Sequence, residues 1–152
     1  MPEWLSALLS SGVDALEPAA ILLARFGVGL MFAFSGWHKL RSPERYRQLV
    51  ETMERASIPC PWMAGPLVAA TELAAGSLLV VGLLTIVAAF ALLVITVVAI
   101  ATVAIDKVDA GRLSTWLENF LYLPEVLYAL LLVSLIASGP GFFSLDRLIW
   151  NH

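Results

Sequence analysis

The chain has 152 residues, of which 60% are hydrophobic and only 14% are charged, and its formal net charge is -3. Its mean hydropathy is +0.87. A soluble domain carries about 45–50% apolar and about 25% charged residues, so this composition excludes an ordinary soluble protein. The sequence holds no basic tract that would favour nucleic-acid binding. Its single cysteine, Cys60, excludes an intrachain disulfide.

The N-terminal third predicts one membrane span between two amphipathic segments. Residues 3–16 place their apolar side chains on one side, which is typical of a helix at a membrane surface. The first span is predicted over residues 19–37, and Arg25 interrupts it. A second surface helix is predicted over 43–58, because Ser42 and Pro43 form an N-cap with proline in the first turn and a one-sided apolar pattern follows.

The remaining spans follow from one long uncharged run. Residues 73–105 are 33 consecutive residues without a charge, whereas roughly 20 apolar residues cross a bilayer. We therefore predict spans over 66–84 and 86–105 with a turn at 82–85, and a fourth span over 121–138. The predicted fold class is an all-α membrane protein, a bundle of four transmembrane helices with short amphipathic interfacial helices. Residues 1–152 are expected to form a single transmembrane domain.

The distribution of lysine and arginine predicts the orientation. The two long loops carry seven of these residues, and the opposite side carries only Arg147. Basic loops stay in the cytoplasm, so both termini are expected outside it. The seven residues are Lys39, Arg41, Arg45, Arg47, Arg55, Lys107 and Arg112.

Three ionisable residues, Arg25, Glu72 and Glu125, lie inside predicted spans. Each costs at least about 2.5 kcal/mol near a helix centre, so each is expected to face the bundle and find a partner. Two pairings are open: Arg25 with Glu72, or Glu125 with His38 and Lys39. Small residues on the same helical stripes predict close helix contacts. These residues are Gly29, Gly36 and Gly76.

The intramembrane charges have two interpretations of equal weight. They fix the register of the helices, or they form a ligand or proton site. A quinone-like amphiphile needs an apolar slot with polar groups for its carbonyls and protons. No nucleophile–base pair and no set of metal ligands stands in the sequence. The candidate cofactor-binding residues are Arg25, His38, Lys39, Glu72, Glu125, Tyr122 and Tyr128.

Three motifs resemble the DoxX family of small four-helix membrane proteins. The first is Arg25-x-x-x-Gly29-x-x-Phe32-x-x-x-Gly36-x-x-Lys39-Leu40. The second is Thr71-Glu72-Leu73-Ala74-Ala75-Gly76, followed by Gly82-Leu83-Leu84-Thr85. The third, and the most specific, is the ending Gly139-Pro140-Gly141-Phe142-Phe143-Ser144-Leu145-Asp146. Arg25, Lys39, Glu72 and Asp146 occupy motif positions, whereas the role of Glu125 rests on the physical argument alone.

The resemblance implies a fold, a compartment and a class of partners. It implies an integral protein of the bacterial plasma (inner) membrane, and the family takes its name from subunits of quinone-linked oxidoreductases, including thiosulfate:quinone systems. Other members are linked to oxidative-stress complexes. The expected function is a non-catalytic membrane subunit or accessory of such a system, with quinone as the candidate cofactor and redox-complex subunits or a homo-oligomer as partners in the lipid bilayer. The alternatives are an oligomeric small-solute transporter or channel, or a structural or assembly partner of another membrane protein.

Overall fold

The first helix is much longer than the predicted span. A computed structural model describes residues 3–105 and 112–150 of the chain, with the side chains of 16–105 and 112–149. Helix α1 covers Glu3–Arg41 without a break and contains Pro18. Residues 3–16 therefore continue into the span rather than forming the separate helix that their pattern predicts. The part of α1 suited to a membrane is Leu16–Arg41.

The predicted amphipathic helix after the first span is confirmed. Helix α2 covers Pro43–Arg55, with Ser42 as its N-cap residue and Pro43 in the first turn. The chain then passes two prolines and starts α3, which covers Pro61–Val81. Helix α2 packs against both α1 and α3, so it closes one end of their contact.

The long uncharged run forms two helices separated by a tight turn. Gly82 ends α3 in the left-handed conformation, with φ of 75°, and α4 begins at Thr85. Helix α4 covers Thr85–Ala99 and continues as a π-helical segment over Ile100–Ala104. The break thus lies where the glycine predicts it, because glycine adopts positive φ at little steric cost.

The fourth span differs from its prediction in shape. Helix α5 covers Leu113–Leu121 and helix α6 covers Pro124–Ser138, and the two are bent by 66° relative to each other. Pro124 starts α6 because proline suits a first helical turn and disfavours continuation of a preceding helix. A short helix α7, Leu145–Trp150, follows a glycine-rich loop.

These elements confirm the predicted fold class, a helical membrane bundle. Three helices are long and apolar enough to cross a bilayer, and the bent α5–α6 pair makes a fourth when it counts as one span. In the described ranges every regular element is helical. The core is formed by α1, α3, α4 and α6, and its fully buried large side chains include Leu79, Leu92 and Leu132.

Glycines bring α1 and α3 into close contact, as predicted. A Cβ atom at Gly36 would lie 2.5 Å from the backbone oxygen of Ala69 and 2.5 Å from the nitrogen of Leu73. One at Gly76 would lie 2.5 Å from the nitrogen of Ala33, and one at Gly29 would meet Gly76 and Val80 at 2.9 Å. Gly29 meets the later part of α3, whereas Gly36 meets an earlier part of it, so the two helices are antiparallel.

Candidate functional site

Lys39 and Glu72 form an ion pair between α1 and α3. The Lys39 ammonium donates to both carboxylate oxygens of Glu72, with Nζ–Oε1 and Nζ–Oε2 distances of 2.7 and 2.6 Å. The Ser35 hydroxyl donates to Oε2 over 3.2 Å. Glu72 is buried to 4% exposure. Because an isolated buried carboxylate is very costly, these three donated bonds are what allow a charge at this depth.

The lean of helical side chains explains why this pair forms. A side chain on a helix tilts toward the N-terminus of its own helix. In antiparallel helices, Lys39 therefore tilts into the bundle while Glu72 tilts toward the end where Lys39 stands. Arg25 also tilts toward the N-terminus of α1, and this direction leads away from Glu72. Two pairings were left open by the sequence, Arg25 with Glu72 and Glu125 with His38 and Lys39. The structure replaces both with a third, Lys39 with Glu72.

A cavity of about 670 Å³ opens beside the ion pair, between α1 and α2. We call it the α1–α2 cavity. Its volume lies in the range of about 300–1,000 Å³ that small-molecule sites occupy. Its wall combines apolar and polar side chains in similar proportion. The lining residues are Met31, Phe34, Ser35, His38, Lys39, Arg45, Gln48, Leu49 and Thr52.

One ring nitrogen of His38, a residue that lines this cavity, is fixed by a contact with the backbone. Its Nδ1 lies 2.7 Å from the backbone oxygen of Phe34. A carbonyl oxygen only accepts, so Nδ1 carries a proton and donates it. Nε2 is then the nitrogen that accepts a hydrogen bond in the neutral ring or donates one in the protonated ring.

Arg25 lies on α1 well before Lys39, toward the other end of the bundle. It binds the C-terminal loop, residues 139–144. Its guanidinium donates to the backbone oxygen of Pro140 over 2.7 Å and to that of Phe143. Arg25 is only 2% exposed. A Cβ atom at Gly82 would lie 2.8 Å from its Cζ atom, so the α3–α4 turn also closes over it. Arg25 therefore joins the turn and the loop at one end of the bundle.

Asp146 completes this end by capping α4. Its carboxylate accepts from the backbone nitrogens of Leu84 at 2.6 Å and Thr85 at 2.8 Å. Its own nitrogen donates to the oxygen of Gly82 over 2.9 Å. Partial burial alone would raise the pKa of Asp146, but the hydrogen bonds from Thr85 and Leu84, with the charge of Arg25, hold it below its usual value. An ionised carboxylate also suits the positive end of a helix.

The other predicted site residues stand apart from the α1–α2 cavity. Tyr122 is 80% exposed, because the break before α6 removes it from the stripe that the sequence predicts. Tyr128 packs its ring edge-on against Phe32, with centroids 5.9 Å apart. One carboxylate oxygen of Glu125 is buried without a hydrogen-bond partner among the described residues. The structure thus brings together His38, Lys39 and Glu72 only.

Sequence reasoning missed the contribution of α2 and of Ser35. Ser35 precedes Lys39 by four residues, about one helical turn, so the two side chains lie on the same face of α1. That spacing could have indicated that they share a partner. Arg45, Gln48 and Thr52 reach the cavity because α2 folds back on α1, and nothing in the local pattern gives that direction. The acceptors of Arg25 are backbone oxygens, which carry no side-chain signature.

The fold and these buried charges define a small helical integral membrane protein with an ion pair inside the bundle. The DoxX family profile matches residues 20–105, and the chain belongs to the DoxX family. It is 31% identical over 150 residues to an uncharacterized membrane protein of Mycobacterium tuberculosis, covering 96% of this chain and 88% of that relative. No solved structure matches the chain.

Proposed function

We propose that this protein is a membrane subunit of a quinone-linked redox or oxidative-stress system, and that it holds the quinone head in the α1–α2 cavity. One observation carries the proposal: the donors Lys39, His38 and Arg45 line a cavity that also has apolar walls. A quinone head has two carbonyl acceptors on an apolar ring, so this combination of donors and apolar surface suits it.

The residues divide into donors and a charge partner. The Lys39 ammonium has three hydrogens, and Glu72 accepts from it through two short contacts that hold it in place, so one hydrogen remains for a quinone carbonyl. The Ser35 hydroxyl donates its single hydrogen to Glu72 and supports the pair rather than the ligand. Arg45 adds a second cation to the wall. A positively charged wall stabilises a quinone as it becomes more negative on reduction. Met31 and Phe34 supply apolar contact for the ring.

Proton exchange falls to His38. A bound quinone supplies two-electron, two-proton chemistry, and the electrons are exchanged with a redox partner subunit. The Nε2 atom of His38 would pass one proton at a time between a bound quinone and water, because Nδ1 is held by Phe34 and the side chain is exposed. Histidine suits this task because its imidazole can both donate and accept a proton.

Native mass spectrometry of the purified protein tests the proposal, with a short-chain ubiquinone added to nanodiscs. We expect the wild-type protein to retain one quinone. The double variant Lys39→Met with Glu72→Met removes both charges together and should retain none while remaining folded, since a buried pair replaced by apolar groups is often tolerated.

Arg55→Met is the matched control, because Arg55 is an exposed cation of α2 outside the cavity. It should retain quinone like the wild type. Absence of retained quinone in the wild-type protein would refute the proposal, as would equal retention by the folded double variant.

A further inference from the structure

A second, larger cavity lies at the opposite end of the bundle from the α1–α2 cavity. We call it the α1–α4 cavity; its volume is about 780 Å³. It is bounded by the start of the α1 span, the start of α4 and the C-terminal loop. Nothing in the proposed redox function uses it. Its lining residues are Glu17, Pro18, Ile21, Leu84, Thr85, Ile86, Val87, Ser138, Pro140, Gly141, Phe142, Asp146 and Arg147.

The lining carries charges of both signs beside an apolar wall. Glu17 and Arg147 are exposed, and neither belongs to a side-chain ion pair within the described parts of the chain. Asp146 is fixed by its bonds to the α4 terminus and keeps free lone pairs. Glu17 is the second residue of the membrane-suited part of α1, Leu16–Arg41. In a bilayer we expect these charges at headgroup depth and the apolar wall against the acyl region.

We propose that the α1–α4 cavity binds a zwitterionic phospholipid with a primary ammonium headgroup, a phosphatidylethanolamine. The carboxylates of Glu17 and Asp146 accept from the ammonium, and Arg147 binds the phosphate. An acyl chain lies along Ile21 and Val87. Charge-assisted hydrogen bonds of this kind are the strong ones. Those to the two carboxylates need a donor on the ligand, whereas in the bond to the phosphate the donor is Arg147.

Two competing headgroups fit the cavity less well. A choline headgroup has no N–H donor, and its other means of recognition is an aromatic face. The face of Phe142 is already covered by the Arg147 guanidinium, 4.2 Å from the ring centroid. An anionic headgroup meets two carboxylates and one guanidinium, a net negative lining, and it supplies no cation for them.

The test uses the full chain in nanodiscs containing equal amounts of phosphatidylethanolamine and phosphatidylcholine with identical acyl chains. The lipid that stays bound on release is identified by native mass spectrometry. We expect the ethanolamine lipid to be enriched at least about tenfold over the bulk ratio, the lower end of the scale for one hydrogen bond to a charged group. Retention in the bulk ratio would overturn the proposal.

Variants locate the site. Glu17→Gln removes one carboxylate from an exposed position and should return the retained lipid to nearly the bulk ratio. Arg147→Gln should reduce retention of both lipids. Glu118→Gln is the matched control, because Glu118 is an exposed carboxylate of α5 outside the cavity. Unchanged enrichment in Glu17→Gln, or the same loss in Glu118→Gln, would refute the assignment to this cavity.

Discussion

Single residues in this protein are explained by which donors and acceptors their helices bring within reach. Buried charge at Glu72 is tolerated because Lys39 and Ser35 satisfy it. We expect Lys39→Met to lower the free energy of unfolding by roughly 3 kcal/mol, the lower end for breaking a buried pair, since Lys39 itself is part-exposed. The double variant Lys39→Met with Glu72→Met should recover most of that loss.

A double-mutant cycle measured by thermal unfolding in detergent checks this coupling. Arg41→Met serves as the control, because Arg41 is an exposed cation that lies over Trp37 at 5.5 Å rather than on a carboxylate. Additive effects of Lys39→Met and Glu72→Met would contradict a stabilising pair.

Asp146 predicts a dependence of stability on pH. Its pKa in the folded protein is lowered, so its ionised form contributes stability above its unfolded pKa of about 3.9. That contribution is lost as the pH falls from about 4 toward the lower folded pKa. The melting temperature of the wild-type protein should therefore exceed that of Asp146→Asn at pH 6, and the difference should shrink below about pH 4. A constant difference across pH 3–6 would contradict the capping role.

The sequence predicted that intramembrane charges have partners, but it did not predict which partners. Arg25 shows why: its acceptors, the oxygens of Pro140 and Phe143, lie 115 and 118 residues away and belong to the backbone. The partner of Lys39, by contrast, can be explained by general rules of helix geometry. Its partner Glu72 follows from antiparallel packing and side-chain lean, both of which are general properties of helices.

Among the elements, contact between α1 and α3 depends on glycine. Because a Cβ atom at Gly36 would approach the α3 backbone to 2.5 Å, Gly36→Leu should force the helices apart. We expect a loss of at least about 1–3 kcal/mol, the usual cost of overpacking, and a lower folded yield. Val98→Leu, on an exposed face of α4, should leave both unchanged. Similar melting temperatures for the two variants would remove the packing argument.

The fourth span begins later than predicted. Hydropathy predicted a span over 121–138, whereas α6 begins at Pro124, after a bend of 66° from α5. Pro124 marked the break, but proline is also tolerated inside membrane helices, as Pro18 and Pro66 are here. Composition predicts the number of apolar segments, whereas packing between helices determines the direction of each segment.

For the whole molecule, the two ends of the bundle differ in their number of basic residues. The end formed by α2 exposes Arg45, Arg47 and Arg55, whereas the end formed by the α3–α4 turn and the C-terminal loop exposes Glu17 and Arg147. Basic segments remain in the cytoplasm. We therefore predict that α2 lies on the cytoplasmic side and that both termini lie outside.

Reporter fusions test this orientation. A reporter that is active only outside the cytoplasm should be active when fused after His152 and inactive when fused after Ser57, in the α2–α3 connection. The prediction rests on basic residues, so replacing Arg45, Arg47 and Arg55 by glutamine should weaken the preference and yield a mixed signal at His152. Activity at Ser57 with none at His152 would place α2 outside. The α1–α4 cavity would then face the cytoplasmic leaflet, and its lipid preference would have to be tested in that leaflet.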